Sequence, residues 1–364
     1  MYYSEIAKII EAGLEKDKDK VRNYSLLLAG KLKEDGEIRM GNRILKILEK
    51  RRIGGLVTDS LIAPPVDQES RMSIISVSEN KDIPDLVLAD SVIEKLKDFQ
   101  DTIKVKDKMS KLGLEFDMSL LLYGDPGCGK TSIAYFLANE LELPLVTARL
   151  DTLISSLLGN TAKNIRRIFD YAKRQPCILF LDEFDAIAKA RDDKQETGEL
   201  KRVVNSLLQN IDEYSKDGIL IAATNHQELL DSAIWRRFQS VIQVPKPNEK
   251  QISKFLDKLF FNLKRDFVGD VKKNKIIQEI MSGLSYSDIK NISQNTIKKY
   301  FIKEKESIEF IDLITEAYKF KNHNNLEVDE LIKFLNDVGI SQTKISKKYK
   351  ISMRQVKNYL KGVI

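Results

Sequence analysis

The chain has 364 residues, 42% of them hydrophobic and 31% charged, with a formal net charge of +6; this excludes a wholly disordered or fibrous protein and suits two or three small domains. Two cysteines, Cys128 and Cys177, and two histidines, His226 and His323, exclude a disulfide framework and a His-based zinc site. Met1 to Lys8 lack the basic start and apolar core of a secretory leader, and no apolar run reaches the ~20 residues of a spanning helix, so a cytoplasmic protein without membrane contact is expected.

Residues 1–55 read as an N-terminal helical domain. Ile6, Ile9, Ile10 and Leu14 recur at helical spacing, as do Val21, Leu27, Leu28 and Leu32, and Ile44, Leu45 and Leu48 mark a third segment. Gly54-Gly55 and Pro64-Pro65 punctuate the end, and 56–84 reads as a linker. Over 85–247 short apolar runs alternate with longer helical stretches. The runs are Leu120–Tyr123, Leu145–Ala148, Ile178–Leu181, Ile219–Ala223 and Val241–Val244. Runs of strand length without alternation predict an α/β fold, a parallel sheet covered by helices on both faces. Residues 248–320 read as helical without strands, and 321–364 as a short, basic helical block.

After the first run comes Gly124-Asp125-Pro126-Gly127-Cys128-Gly129-Lys130-Thr131, then Ser132 and a helical stretch with Ile133, Phe136 and Leu137 on one face. The pattern G-x-x-x-x-G-K-[ST] between a strand and a helix predicts a phosphate loop. Its glycines let the backbone N–H groups curl inward, and with the helix N-terminus they bind phosphate oxygens. Lys130 supplies a point charge for the terminal phosphates, and the Thr131 hydroxyl a ligand for Mg²⁺. ATP and Mg²⁺ are therefore the expected cofactors.

The run Ile178–Leu181 ends in Asp182-Glu183. Two carboxylates at the end of a buried strand are costly unless a cation or water uses them. Asp182 is the expected Mg²⁺ ligand, and Glu183 the general base that polarises the attacking water. Asn225, after the run ending at Thr224, offers an amide that can orient that water; a turn-forming Asn reads equally well. Arg236 and Arg237 are adjacent in Ala233–Phe238, and arginine suits the charge on a transferring phosphoryl group.

Together these motifs resemble the AAA family of P-loop ATPases over about residues 115–290. The Walker A loop Gly124–Thr131, the Walker B run Ile178–Glu183, the sensor-1 run Ala222–Asn225, Leu229-Leu230-Asp231 and Arg236-Arg237-Phe238 occur in the family's order. Gly283-Leu284-Ser285-Tyr286-Ser287-Asp288 resembles the lid segment, and Asn164–Phe169 the pattern after the first pore loop. The resemblance implies an α/β domain with a helical lid, a homo-oligomeric ring that is usually a hexamer, and ATP at subunit interfaces. It also implies that Arg236 or Arg237 reaches a neighbour's γ-phosphate. Ser156-Leu157-Leu158-Gly159 stands at the first pore loop, with Leu157 where threading members carry an aromatic residue, and Arg191-Asp192-Asp193-Lys194 stands at the second. The layout also resembles bacterial stand-alone AAA ATPases that accompany a separate subtilisin-like protease.

In the C-terminal block, Leu326–Val338 reads as a helix and Ser341 as the cap of a second reaching Tyr349. After Lys350-Ile351-Ser352 a third helix buries Val356 and Leu360. The last two resemble a helix-turn-helix, with Met353, Arg354, Lys357 and Asn358 facing out. Residues 321–364 hold nine Lys or Arg against four Asp or Glu, a footprint for an anionic partner. Two functions are thus expected: ATP-driven remodelling of a protein client or partner, or an ATP-switched protein that binds DNA through 321–364.

Overall fold

The computed structural model describes residues 2–15, 17–50, 65, 74–78, 86–114, 116–150, 161–187, 198–323 and 327–362. The expectations for Leu157 and for Arg191–Lys194 lie outside the described residues. Two compact units are present. One comprises Met1–Leu86, Asp90–Gly124 and Lys130–Val244; the other comprises Val87–Ala89, Asp125–Gly129 and Pro245–Ile364. The phosphate loop is thereby divided, its middle five residues clustering with the second unit.

The first unit opens with α1 (Tyr3–Leu14), α2 (Lys18–Glu34) and α3 (Ile38–Lys50), packed in sequence. A sheet follows, built from β1 (Ser76–Ser78), β2 (Ser119–Tyr123), β3 (Leu145–Arg149), β4 (Ile178–Asp182), β5 (Ile219–Thr224) and β6 (Ser240–Gln243) in the order β1-β3-β4-β5-β2-β6. All neighbours are parallel except β1, which runs antiparallel to β3. Its helices are α4 (Asp90–Ser110), α5 (Lys130–Glu140), α6 (Thr161–Lys173), α7 (Gly198–Tyr214) and the single turn α8 (Ser232–Trp235).

Leu120, Leu121, Leu122, Ile178, Leu179 and Phe180 are wholly buried, as expected of central parallel strands sandwiched between helices. Each such side chain contributes roughly 2 kcal/mol of apolar transfer. One core joins Leu121, Val146 and Leu179 of the sheet to Phe169 on α6 and Leu207 and Ile211 on α7. The Ser-Val-Ser edge strand β1 falls in a stretch that composition marks as linker. Three residues carry no period, and pairing with β3 supplies what local propensity does not.

Helices α1 and α2 sit at the N-terminal edge of the sheet. Lys8 Nζ donates to Asp217 O (2.7 Å) just before β5, and Asn23 Nδ2 to Arg174 O (3.4 Å) before β4. Burial pulls the Lys8 ammonium below its ordinary value. Beside it, burial pushes the Cys177 thiol up to about 12, leaving a protonated, inert thiol. Most of the large apolar residues of α1 do not face this packing: Tyr3, Ile6, Ile10 and Leu14 are exposed, while Glu5 and Ala12 are buried.

The second unit is helical: α9 (Glu249–Leu259), α10 (Val271–Met281), α11 (Tyr286–Ile302), α12 (Phe310–Lys321), α13 (Val328–Asp337), α14 (Gln342–Tyr349) and α15 (Met353–Lys361). Capping boxes start α9 (Asn248 with Gln251), α11 (Ser285 with Asp288) and α15 (Ser352 with Gln355). A single apolar core holds Phe255 and Phe260, Ile289 and Ile292, Ile311 and Ile314, and also Leu331, Leu335, Ile345 and Val356 of the last three helices.

An ionic knot fastens α14 to α12. Lys348 and Lys305 both pair with Asp312, and both also pair with Glu309, at 3.7 and 3.2 Å. Burial pushes the Asp312 carboxyl up, but the two ammoniums outweigh it and hold the group below its ordinary value. Asp312→Asn is expected to cost about 3 kcal/mol, because it strands two cations beside one remaining acid. The lowered carboxyl contributes fully above its ordinary value near ~4 and loses that contribution as pH falls through the folded-state value. In chemical denaturation the variant and parent should therefore differ at neutral pH and converge in acid. Equal stability at pH 7 would remove the knot's role.

No helix among the described residues is long and apolar enough to cross a membrane.

Candidate active site

The candidate residues of the first unit gather along the C-terminal edge of the parallel strands. In an open α/β sheet, ligands bind at this edge, where the strand order reverses. Register does the gathering. Tyr123 pairs with Thr224, Leu181 with Ala222 and Arg149 with Asp182. Gly124, Glu183 and Asn225 are therefore the next residues out on three adjacent strands, and Asp182 is the last residue of β4.

Gly124 leaves β2 at φ 143°, and a Cβ there would lie 2.3 Å from Val244 O. Only glycine permits this exit. Lys130, buried at 7% exposure, folds back to donate from Nζ to Gly124 O at 2.6 Å. Thr131 Oγ1 donates to Asp182 Oδ2 at 3.3 Å. The hydroxyl and the carboxylate expected to share a cation are thus within hydrogen-bond reach of each other.

Glu183 has φ 56°, in the left-handed region. For a residue with a Cβ this costs on the order of 1 kcal/mol. Its neighbours impose the conformation. Phe184 N donates to Ala223 O (2.8 Å), the Phe184 ring is wholly buried against Phe238, and Glu183 N donates to Asp182 Oδ1 (3.0 Å). The Glu183 side chain is 37% exposed and pairs with Arg149 at 3.4 Å. Motif reading missed Arg149, although an arginine ending an apolar run is a visible signal. Asn225 is half-buried. Its turn is fixed by Thr224 Oγ1, which donates to Asp185 Oδ1 (3.2 Å) and accepts from His226 N (3.0 Å).

The adjacent arginines have different surroundings. Arg237 pairs through Nε with Asp212 at 3.1 Å and donates from Nη1 to Ala233 O at 2.6 Å. Arg236 is exposed, with no ion pair among the described residues. Both follow α8, which Asp231 caps by accepting from Ile234 N (2.9 Å) and which the edge-on contact of Trp235 with Tyr123 ties to β2.

In the second unit, Gly127 at φ 74° has no room for a Cβ, which would lie 2.6 Å from Ser285 Oγ. Ser287 N donates to Gly127 O at 3.1 Å, so the N-terminus of α11 lies against the loop. Cys128 is wholly buried, and Lys246 pairs with Asp125 at 3.2 Å. The Tyr286 hydroxyl is buried with no hydrogen-bond partner among the described residues, and burial, then the nearby Cys128, pushes it up to about 12.

These donors fit Mg-ATP. Glycine-shaped backbone and a buried ammonium suit phosphate, and hard oxygens from Thr131 and Asp182 suit Mg²⁺, which takes few protein ligands.

The chain is similar to several known proteins. Residues 120–246 match the family described as ATPase family associated with various cellular activities (AAA). The AAA family ATPase y4kL of Sinorhizobium fredii is 42% identical over 225 residues, covering 62% of this chain and 67% of that protein. The ribosome biogenesis ATPase RIX7 of Saccharomyces cerevisiae is 34% identical over 231 residues, covering 60% of this chain but only 27% of the relative. Among solved structures, the FIGL-1 AAA domain shares the fold at a TM-score of 0.56 and 19% identity, over 73% of this chain and 92% of that one. This chain, with its phosphate loop, acidic strand end and helical second unit, belongs to the AAA family of ATPases.

Proposed function

We propose that the chain is the subunit of a ring, six-membered as its resemblance implies, that binds Mg-ATP at subunit interfaces and spends hydrolysis on remodelling a macromolecular client. The observation that carries this reading is the Thr131 hydroxyl on the Asp182 carboxylate, 3.3 Å apart, with a strained Glu183 immediately beside them. Backbone N–H groups from Gly124 through Asp125, Pro126 (which has none to give), Gly127, Cys128, Gly129, Lys130, Thr131 and Ser132 cradle the phosphates, and Lys130 turns from Gly124 O to the terminal ones. Thr131 and Asp182 hold the magnesium ion, which supplies charge neutralisation to the phosphates. Glu183 accepts the proton of the attacking water, which Asn225 orients. Arg236, exposed and with no ion pair among the described residues, is the residue offered to a neighbouring subunit's nucleotide.

The exposed Tyr3, Ile6, Ile10 and Leu14 of α1 give the N-terminal helices an apolar face for a protein client or partner. A separate subtilisin-like protease is one such partner. Cys128 and Cys177, thiols rather than a disulfide, fit a cytoplasmic setting.

Lys130→Ala tests the site. Loss of a buried charge-assisted contact to phosphate should cost about 3 kcal/mol, roughly a hundredfold in nucleotide affinity. A fluorescent ATP analogue reads the affinity, and mass photometry reads nucleotide-dependent assembly. Parent-like binding by the variant would sink the reading.

A further inference from the structure

We propose that α14, α15 and the turn between them form a binding surface for duplex DNA, beyond the ATPase reading above. From Val338 to the end of the chain there is no acidic residue and there are seven basic ones. The structure divides these seven. Lys344 and Lys348 turn inward, to Asp266 and to Asp312 and Glu309. Lys347, Lys350, Arg354, Lys357 and Lys361 are exposed, with no ion pair among the described residues. The acids of the block, Glu327, Asp329, Glu330 and Asp337, all lie on or just before α13, and Asp329 pairs there with Lys333.

Helix α15 gives this charge a shape. Val356 is wholly buried, while Met353, Arg354, Lys357, Asn358 and Lys361 are exposed. At those spacings they line one stripe of a nine-residue helix. Ser352 caps its start, accepting from Gln355 N at 3.2 Å. Arg354 and Asn358 are residue types that make bidentate contacts to guanine and adenine edges, and the flanking lysines suit phosphates. The three-residue turn before α15 is set by Lys350 at φ 55°, ψ 42°, the left-handed position where such turns favour glycine. A lysine held there is strained and exposed, which places a cation beside the helix start.

Other anionic partners fit less well. A protein interface needs buried aromatic or aliphatic anchors, and here Tyr349, Ile351, Tyr359 and Leu360 all pack into the unit's own core. A membrane surface needs an exposed apolar face beneath the charge, and the stripe offers only Met353.

Fluorescence anisotropy of the full chain, without nucleotide, with a labelled 20-base-pair duplex tests this. If about four phosphates are engaged, raising salt from 50 to 200 mM should weaken binding about a hundredfold. The double variant Arg354→Ala with Lys357→Ala should bind at least tenfold more weakly, with a salt slope shallower by about one to two. Its thermal unfolding and basal ATP turnover should match the parent, since both side chains are exposed. Lys130→Ala should keep its DNA affinity, which separates this proposal from the ATPase reading. No binding at 50 mM salt, parent-like binding by the double variant, or equal binding to polyglutamate or to phosphatidylserine vesicles would each overturn it.

Discussion

Glu183→Gln is expected to lower ATP turnover by about 10²- to 10⁴-fold while ATP binding stays close to that of the parent protein. The magnitude is that of losing a general base. A glutamine side chain has the same shape and still accepts a hydrogen bond, but it cannot take a proton from water near neutral pH. Structure argues that the substitution is local. The left-handed conformation at 183 is imposed by Phe184, through its bond to Ala223 O and its buried ring, and not by the carboxylate. The pair with Arg149 is lost, but both partners are more than a third exposed, so little stability goes with it. Steady-state phosphate release and a nucleotide titration read the two quantities separately. Turnover within threefold of the parent would reassign the base. If the prediction holds, the same variant becomes a trap, and partners co-purifying with it in ATP would identify the client.

Glu183 also marks where sequence reading succeeds and where it stops. The strands are visible because each is buried on both faces and reads as an unbroken apolar run; β2 through β5 fall within a residue or so of those runs. Because side chains that meet nucleotides must stand at strand ends, the motifs come with their positions. What the residues alone do not reveal is anything that depends on a distant partner. Arg149 is visible as the end of an apolar run, yet only its register with Asp182 brings it to Glu183. Asp212, which occupies Arg237, lies on α7, 25 residues earlier in the chain. The charge of the C-terminal block is legible as a total, yet only the fold decides that Lys344 and Lys348 are spent internally. Similarly, the helical spacing of Ile6, Ile10 and Leu14 predicts a helix but not its facing, and the apolar side turns out to be exposed.

That division of labour decides between the two arginines, which the sequence presents as equals. Arg236→Ala is expected to reduce turnover by about 10³-fold or more, the scale of a transition-state arginine supplied by a neighbour. Arg237→Ala is expected to act mainly on stability, by no more than about 1 kcal/mol, because it removes a partly exposed pair with Asp212 and a bond to Ala233 O. The finger role needs a side chain that can leave its own subunit. Arg237 would have to give up two partners to do so, whereas Arg236 has none to give up among the described residues. Mixing makes the test independent of simple loss of function. A Lys130→Ala subunit has a dead phosphate loop and an intact Arg236, and an Arg236→Ala subunit has the reverse. Each is inactive alone, but where the first presents its arginine to the loop of the second, a complete site forms and turnover returns. Full activity of Arg236→Ala, or failure of the mixture to regain any while both variants still assemble, would show that the site is completed within one chain and not between two.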